Sequence, residues 1–157
     1  MANFQYCPLV WMFSSAVSLR KIESIQKRAL RFLYDNYDIS YDELLTKSGI
    51  SEMNVKRLRI LCIEIYKTIN HLNPSFMKEI FSLRETKRPV REKYKLNLNT
   101  PDYNQISFGR KSLKVFGPKI WNNLPYHIKS AENLESFKTM IKFWNGKICT
   151  CNICHLK

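Results

Sequence analysis

The stretch KICTCNICHLK places Cys149, Cys151, Cys154 and His155 within seven residues. Two metal chemistries compete for such a set. C-N-I-C-H fits the C-x-x-C-H pattern of covalent haem attachment. That chemistry calls for an export route and a distal ligand. The segment CPLVWMFSSAVS ends in small residues as a signal peptide would, but no Lys or Arg precedes it and its apolar run is short. No distal ligand loop is visible either. Zinc suits thiolate and imidazole donors, yet it wants four ligands at tetrahedral corners. Four near-adjacent donors strain that shell, and His155 directly follows Cys154. Cys7 and Cys62 would complete a second pair only in principle, because both read as structural. The third reading is a thiol-bearing tail without metal. The expectation is therefore no cofactor, with zinc at Cys149, Cys151 and Cys154 as the alternative.

Other reactive constellations are missing from the sequence. No G-x-x-x-x-G-K-[ST] loop, G-x-G-x-x-G turn or G-x-S-x-G elbow occurs. Asp35, Asp38, Asp42 and Glu43 gather loosely around one turn. They could hold a hard cation, or simply form a polar turn ahead of a capped helix. Cys62 falls on an apolar stripe and reads as a small core residue. His71 sits near a helix end with no partner set around it. No active site can be named, and no small-molecule substrate is expected.

Charge is the strongest global signal. The 157 residues carry a formal net charge of +13, with 26 Lys and Arg against 13 Asp and Glu. Such an excess points to a polyanion, with nucleic acid ahead of an anionic membrane; the bland alternative is a solvated basic surface. From Arg84 to Lys119 ten basic residues face three acidic ones, a net of +7. Five cysteines, three of them in the last nine residues, make a poor disulfide framework and fit a reducing compartment. An intracellular protein, cytoplasmic or nuclear, is expected. No apolar run approaches the roughly 20 residues of a membrane span.

The elements that carry these residues follow a helical pattern. In SLRKIESIQKRALRFLYDN, residues Leu19, Ile22, Ile25, Ala29, Phe32 and Leu33 recur at helical steps and predict one buried face, with Ser18 as cap. Lys27 and Arg31 lie one turn apart on another face, beside Arg20, Lys21 and Arg28. That cluster is either a solvated helix face or a phosphate-contacting one. SYDELLTKSG predicts a short helix with a Ser40–Glu43 capping box and a Gly49 stop. In SEMNVKRLRILCIEIYKTINHLNP, Val55, Leu58, Leu61, Cys62, Ile65, Tyr66, Ile69 and Leu72 follow the helical period, and Pro74 ends it. PSFMKEIF adds a turn or two.

SLRETKRPVREKYKLNLNTPDYNQ then reads as a long, exposed basic connection holding at most a short strand. Tyr94 and Tyr103 lie among its charges, as ordinary loop aromatics or as stacking platforms for unpaired bases. Order resumes in ISFGRKSLKVFGPKIWNNLP, where Pro118 suits the first turn of a helix carrying Ile120, Trp121 and Leu124. SAENLESFKTMIKFWNG closes the series with Leu134, Phe137, Ile141 and Trp144 on one face, Ser130 as cap and Gly146 as stop. With only 4 glycines, a many-turned β-sandwich or barrel is disfavoured.

The segments FQYCPLVWMFSS, RKIESIQKRALRFLYDNY, RLRILCIEIYKTINHLNP, LKVFGPKIWNNLP and SAENLESFKTMIKFW stand in this order. Together they resemble the C-terminal region of the reverse transcriptase polyprotein of LINE-type, non-LTR retrotransposons of the jockey-like kind. GPKIWNNLP followed by a Phe- and Trp-bearing helix is the most specific part, and the likeness covers nearly the whole chain. It extends to the tail, since such proteins often finish with C-x-C-x-x-C after the last Trp. The family's catalytic palm, with its [YF]-A-D-D turn, has no counterpart here. The resemblance implies a segment that begins beyond the palm, in the thumb region, with Phe4, Tyr6, Trp11 and Phe13 parted from upstream packing partners. No catalytic residue can be transferred. A thumb-like grip on the template–primer backbone can be, and Arg20, Lys21, Lys27, Arg28 and Arg31 are the positions for it.

The expectation is then a mainly α fold: a thumb-like helical region over 1–81, a basic linker over 82–105, a C-terminal helical segment over 106–146 and a cysteine-rich tail over 147–157. Its function would be non-catalytic, non-specific binding of RNA or DNA backbone, with Arg88, Arg91, Arg110 and Lys111 as a second set of contacts. The missing palm is a further partner; no membrane is expected. The competing expectation is a structural or interaction piece of the polyprotein without independent activity.

Overall fold

Ser15 opens the longest helix by accepting a hydrogen bond from the Ser18 amide at 3.2 Å. The cap thus falls three residues before the serine that the sequence suggests, because Ser18 lies inside the first turn. The computed structural model describes residues 8–85, 91, 96–102 and 112–145. Within them the protein is mainly α-helical. The elements are α1 (Pro8–Trp11), α2 (Ala16–Tyr34), α3 (Tyr41–Ser48), α4 (Met53–Ile69), a 3-10 turn (Ser75–Glu79), α5 (Leu113–Asn122), α6 (Tyr126–Lys129) and α7 (Leu134–Phe143). Contacts divide the chain into two compact units between Arg57 and Leu58, inside α4. The sequence reading places its boundary later, after residue 81.

In the first unit, α2 ends at Asp35, which takes a left-handed conformation (φ 46°) and donates its amide to the Arg31 and Phe32 carbonyls. Asp tolerates that region better than most residues. Asn36 Oδ1 then accepts from the Asp38 and Ile39 amides at 3.1 and 3.2 Å, forming an Asx turn. The expected capping box starts α3: Ser40 Oγ accepts from the Glu43 amide, and Glu43 Oε2 from the Ser40 amide, each at 3.3 Å. Gly49 closes α3 at φ 64°, again as expected. Met12, Leu30, Leu44 and Met53 are buried in this unit, together with Gln26 and Arg57.

The apolar face expected for α2 is not the one that packs. Ile25, Phe32 and Leu33 are 44%, 80% and 70% exposed. The buried line passes instead through Gln26 and Leu30, flanked by half-buried Leu19, Ile22 and Glu23. Polar residues can occupy it because they are hydrogen-bonded there. Glu23 Oε1 accepts from the Tyr41 hydroxyl at 2.6 Å and the Met53 amide at 3.3 Å. Gln26 Nε2 donates to the Ser51 carbonyl at 3.2 Å. Polar anchors to α3 and the start of α4 thus rotate the helix away from its most hydrophobic side.

In the second unit the expected stripes of α4 and α7 are buried at their centres, whereas Leu72, which the sequence places on the first, lies beyond the helix end at Ile69 and is 58% exposed. Leu58, Leu61, Cys62, Ile65 and Tyr66 line one; Phe137, Ile141 and Trp144 line the other. The Tyr66 and Phe137 rings stack at 4.4 Å, and Trp121 lies 5.9 Å from Phe137. Tyr66 donates its hydroxyl to the Ala131 carbonyl at 2.8 Å, and Arg59 Nε donates to the Trp144 carbonyl at 2.9 Å. Pro118 stands inside α5 rather than at its start, since the helix begins at Leu113. Its neighbour Gly117 meets the Phe81 ring so closely that a Cβ would lie 2.5 Å from Phe81 Cε1. The cap of α7 is Asn133, whose Oδ1 accepts from the Ser136 amide at 2.8 Å; Ser130 ends α6 instead.

The stretch read as an exposed linker is anchored where it is described. Leu83 and Leu98 form an isolated antiparallel bridge. The Arg84 amide donates to the Asn97 carbonyl at 2.8 Å, and the Asn99 amide to the Ser82 carbonyl at 2.9 Å. Leu98 is buried. The Asn122 side chain grips it twice, accepting from its amide at 2.8 Å and donating to its carbonyl at 3.0 Å. Trp121 Nε1 donates to the Leu96 carbonyl at 2.7 Å. Lys129, itself buried, donates to Asn97 Oδ1 at 2.9 Å and to the Asn122 carbonyl at 3.2 Å.

Candidate nucleic-acid interface

The basic residues of α2 fall on two neighbouring stripes. Arg20, Ser24, Lys27 and Arg31 recur at steps of four, three and four. Val17, Lys21, Ile25, Arg28 and Phe32 recur at steps of four, four, three and four, alternating apolar and basic. Both spacings keep each set on one side of a 3.6-residue helix. Arg20, Lys21 and Arg28 are exposed, whereas Lys27 and Arg31 are half-buried. Arg31 Nε is shielded from solvent and has no hydrogen-bond partner among the described residues. Val17, Arg20, Lys21, Ser24, Ile25 and Arg28 line a shallow groove of about 450 Å³.

Electrostatics on this side are one-signed. Glu23 is the only acidic residue of α2, and it is half-buried in its contacts with Tyr41 and the Met53 amide. Burial, then the Glu23 hydrogen bond, then nearby carboxylates raise the Tyr41 phenol well above its ordinary value. Arg57 is buried beneath this corner. It lies over the Trp11 ring at 5.1 Å and donates Nη2 to Asn54 Oδ1 at 3.2 Å. Burial pulls its guanidinium below the ordinary value, with the Glu23 charge opposing. At the C-terminal end of the helix, Lys47 Nζ stands 4.9 Å from the centre of the Tyr34 ring. No ion pair joins any of the five α2 cations to a carboxylate among the described residues.

The remaining expected contacts are only partly placed. Arg91 is exposed. Arg88, Arg110, Lys111, Tyr94 and Tyr103 lie outside the described residues, as do Cys7, Cys149, Cys151, Cys154 and His155. Among the described residues no three His, Cys, Asp or Glu side chains converge to hold a metal ion. The Asp35–Glu43 turn is accounted for by its left-handed cap, Asx turn and capping box. Cys62 is fully buried, and burial pushes its thiol far up. Sequence reasoning found the cations of α2 but missed the apolar partners between them. The signal was present in the 17–21–25–28–32 spacing, masked by assigning Ile25 and Phe32 to the core.

Family models, curated proteins and solved structures were all compared with the chain, and none matches. No helix among the described residues is long and apolar enough to cross a membrane.

Proposed function

We propose that the chain is a non-catalytic, helical nucleic-acid-binding segment that grips sugar–phosphate backbone through α2. In the resemblance drawn from its sequence, it corresponds to the part of a LINE-type reverse transcriptase beyond the palm, and RNA or DNA is its partner. One observation carries the reading: exposed Arg20, Lys21 and Arg28, with half-buried Lys27 and Arg31 beside them, line one helix whose single carboxylate is engaged elsewhere. Arg20 and Arg31 are eleven residues apart, about 16 Å along the axis. Phosphate contacts of this kind hold nucleic acid without reading its sequence.

The exposed apolar residues Val17, Phe32 and Leu33 favour a second reading, a surface that meets another protein. A salt titration of binding to an RNA–DNA hybrid separates the two. Phosphate contacts give a steep linear fall of log affinity with log salt. Replacing Arg20, Lys21 and Arg28 by Ala should lower that slope by about 2 to 3. Absence of binding at low salt, or an unchanged slope, would remove the nucleic-acid reading from α2.

A further inference from the structure

We infer that α2 discriminates in favour of unpaired nucleic acid, with Phe32 as a stacking platform beside the phosphate-binding cations. The inference rests on the nucleic-acid reading above and adds the substrate class. A surface that only neutralises duplex phosphates has no use for apolar groups. A single strand needs both kinds: cations along its backbone and flat apolar faces for its bases. The two stripes of α2 supply them side by side. Arg20, Lys27 and Arg31 follow one stripe with polar Ser24 between them. On the other, Lys21 and Arg28 alternate with Val17, Ile25 and Phe32.

Phe32 fits this role best. Phe32 is 80% exposed. It follows Arg28 by one helical turn, so a strand whose phosphate meets Arg28 can turn its base onto the ring. The backbone beneath is held, because the Phe32 carbonyl accepts the capping amide of Asp35. Val17 and Ile25, 60% and 44% exposed, extend the apolar contact one turn on either side of Lys21. The charge of this side excludes an acidic neighbour on α2 itself, so the complementary occupant is anionic. Alternation of that charge with exposed apolar groups selects an anion that also offers apolar faces.

The test uses the full chain and fluorescence-anisotropy titrations against one oligonucleotide as a single strand and as its duplex. Phe32→Ala should weaken single-strand binding by about ten-fold and leave duplex binding nearly unchanged. Phe32→Trp should retain or tighten single-strand binding. The Phe32 loss should persist across salt concentrations, whereas that of Arg28→Ala should shrink as salt rises. Circular dichroism of each variant checks the fold, which an exposed side chain leaves intact. Equal losses on both nucleic acids, or no loss on the single strand, would overturn the inference while leaving backbone binding standing. If the unmodified protein binds neither, the nucleic-acid reading itself falls. Should Phe32→Ala leave both affinities unchanged but disperse a self-association seen by light scattering, the face is an interface between copies, and the stacking role is overturned.

Discussion

The Tyr41 hydroxyl donates to Glu23 Oε1 across 2.6 Å, joining α3 to the inner side of α2. The same oxygen accepts from the Met53 amide that begins α4. One carboxylate therefore fixes three helices and leaves the outer side of α2 without a negative charge of its own. Glu23→Ala should destabilise the first unit by about 1–3 kcal/mol, because two donors lose a charged acceptor. Glu23→Gln, which keeps a carbonyl oxygen at that position, should lose less. Urea unfolding followed by circular dichroism measures the difference.

Tyr41 also sets a pH dependence. Its phenol is raised above the ordinary value of about 10 by burial and by the Glu23 hydrogen bond. The neutral form is thus favoured in the folded state. The resulting stability is fully present below about pH 10 and is lost as pH rises toward the folded-state value, because only the unfolded chain then releases this proton. Stability should fall more steeply above about pH 10 in the natural protein than in Tyr41→Phe. Thermal melts of the two across that range give the comparison.

Gly117→Ala should destabilise the second unit although Ala is the better helix former. The new Cβ would lie 2.5 Å from Phe81 Cε1 and 3.0 Å from Cζ. Overpacking of this kind costs about 1–3 kcal/mol, against about 1 kcal/mol of helix propensity. Combining it with Phe81→Leu should recover part of the loss, and a double-mutant cycle reports that coupling.

Asn122 acts toward Leu98 as a neighbouring strand would, with one donor and one acceptor. Asn122→Ala leaves the amide and carbonyl of a buried residue without that partner. The expected loss is about 2–3 kcal/mol. Hydrogen exchange at the Leu98 amide should accelerate sharply in the variant, while amides within α2 keep their protection.

Legibility of the sequence followed the density of apolar signal. In α4 and α7 nearly every core position is apolar and regularly spaced, so Leu61, Ile65, Phe137 and Ile141 could be read directly. α2 carries apolar residues on both sides, and the deciding contacts are polar and distant: Glu23 to Met53 spans thirty residues and Gln26 to Ser51 twenty-five. Periodicity sees none of this. The five cations were legible as a cluster, but their split into exposed Arg20, Lys21 and Arg28 and half-buried Lys27 and Arg31 required the helix rotation. Lys129 shows the same limit, since a lysine in a basic chain gives no hint that it is buried against Asn97.

The Leu83–Leu98 bridge has an engineering consequence. Its flanking hydrogen bonds tie the two ends of the intervening segment to each other, and Asn122 and Trp121 tie the Leu96–Leu98 end to α5. With the two ends joined in this way, lengthening a flexible loop between them would incur a logarithmic entropy term of about 0.6 kcal/mol per doubling. A peptide tag or small reporter domain inserted directly after Glu85, outside these hydrogen bonds, should leave the second unit folded, which makes this the natural entry point for labelling the protein.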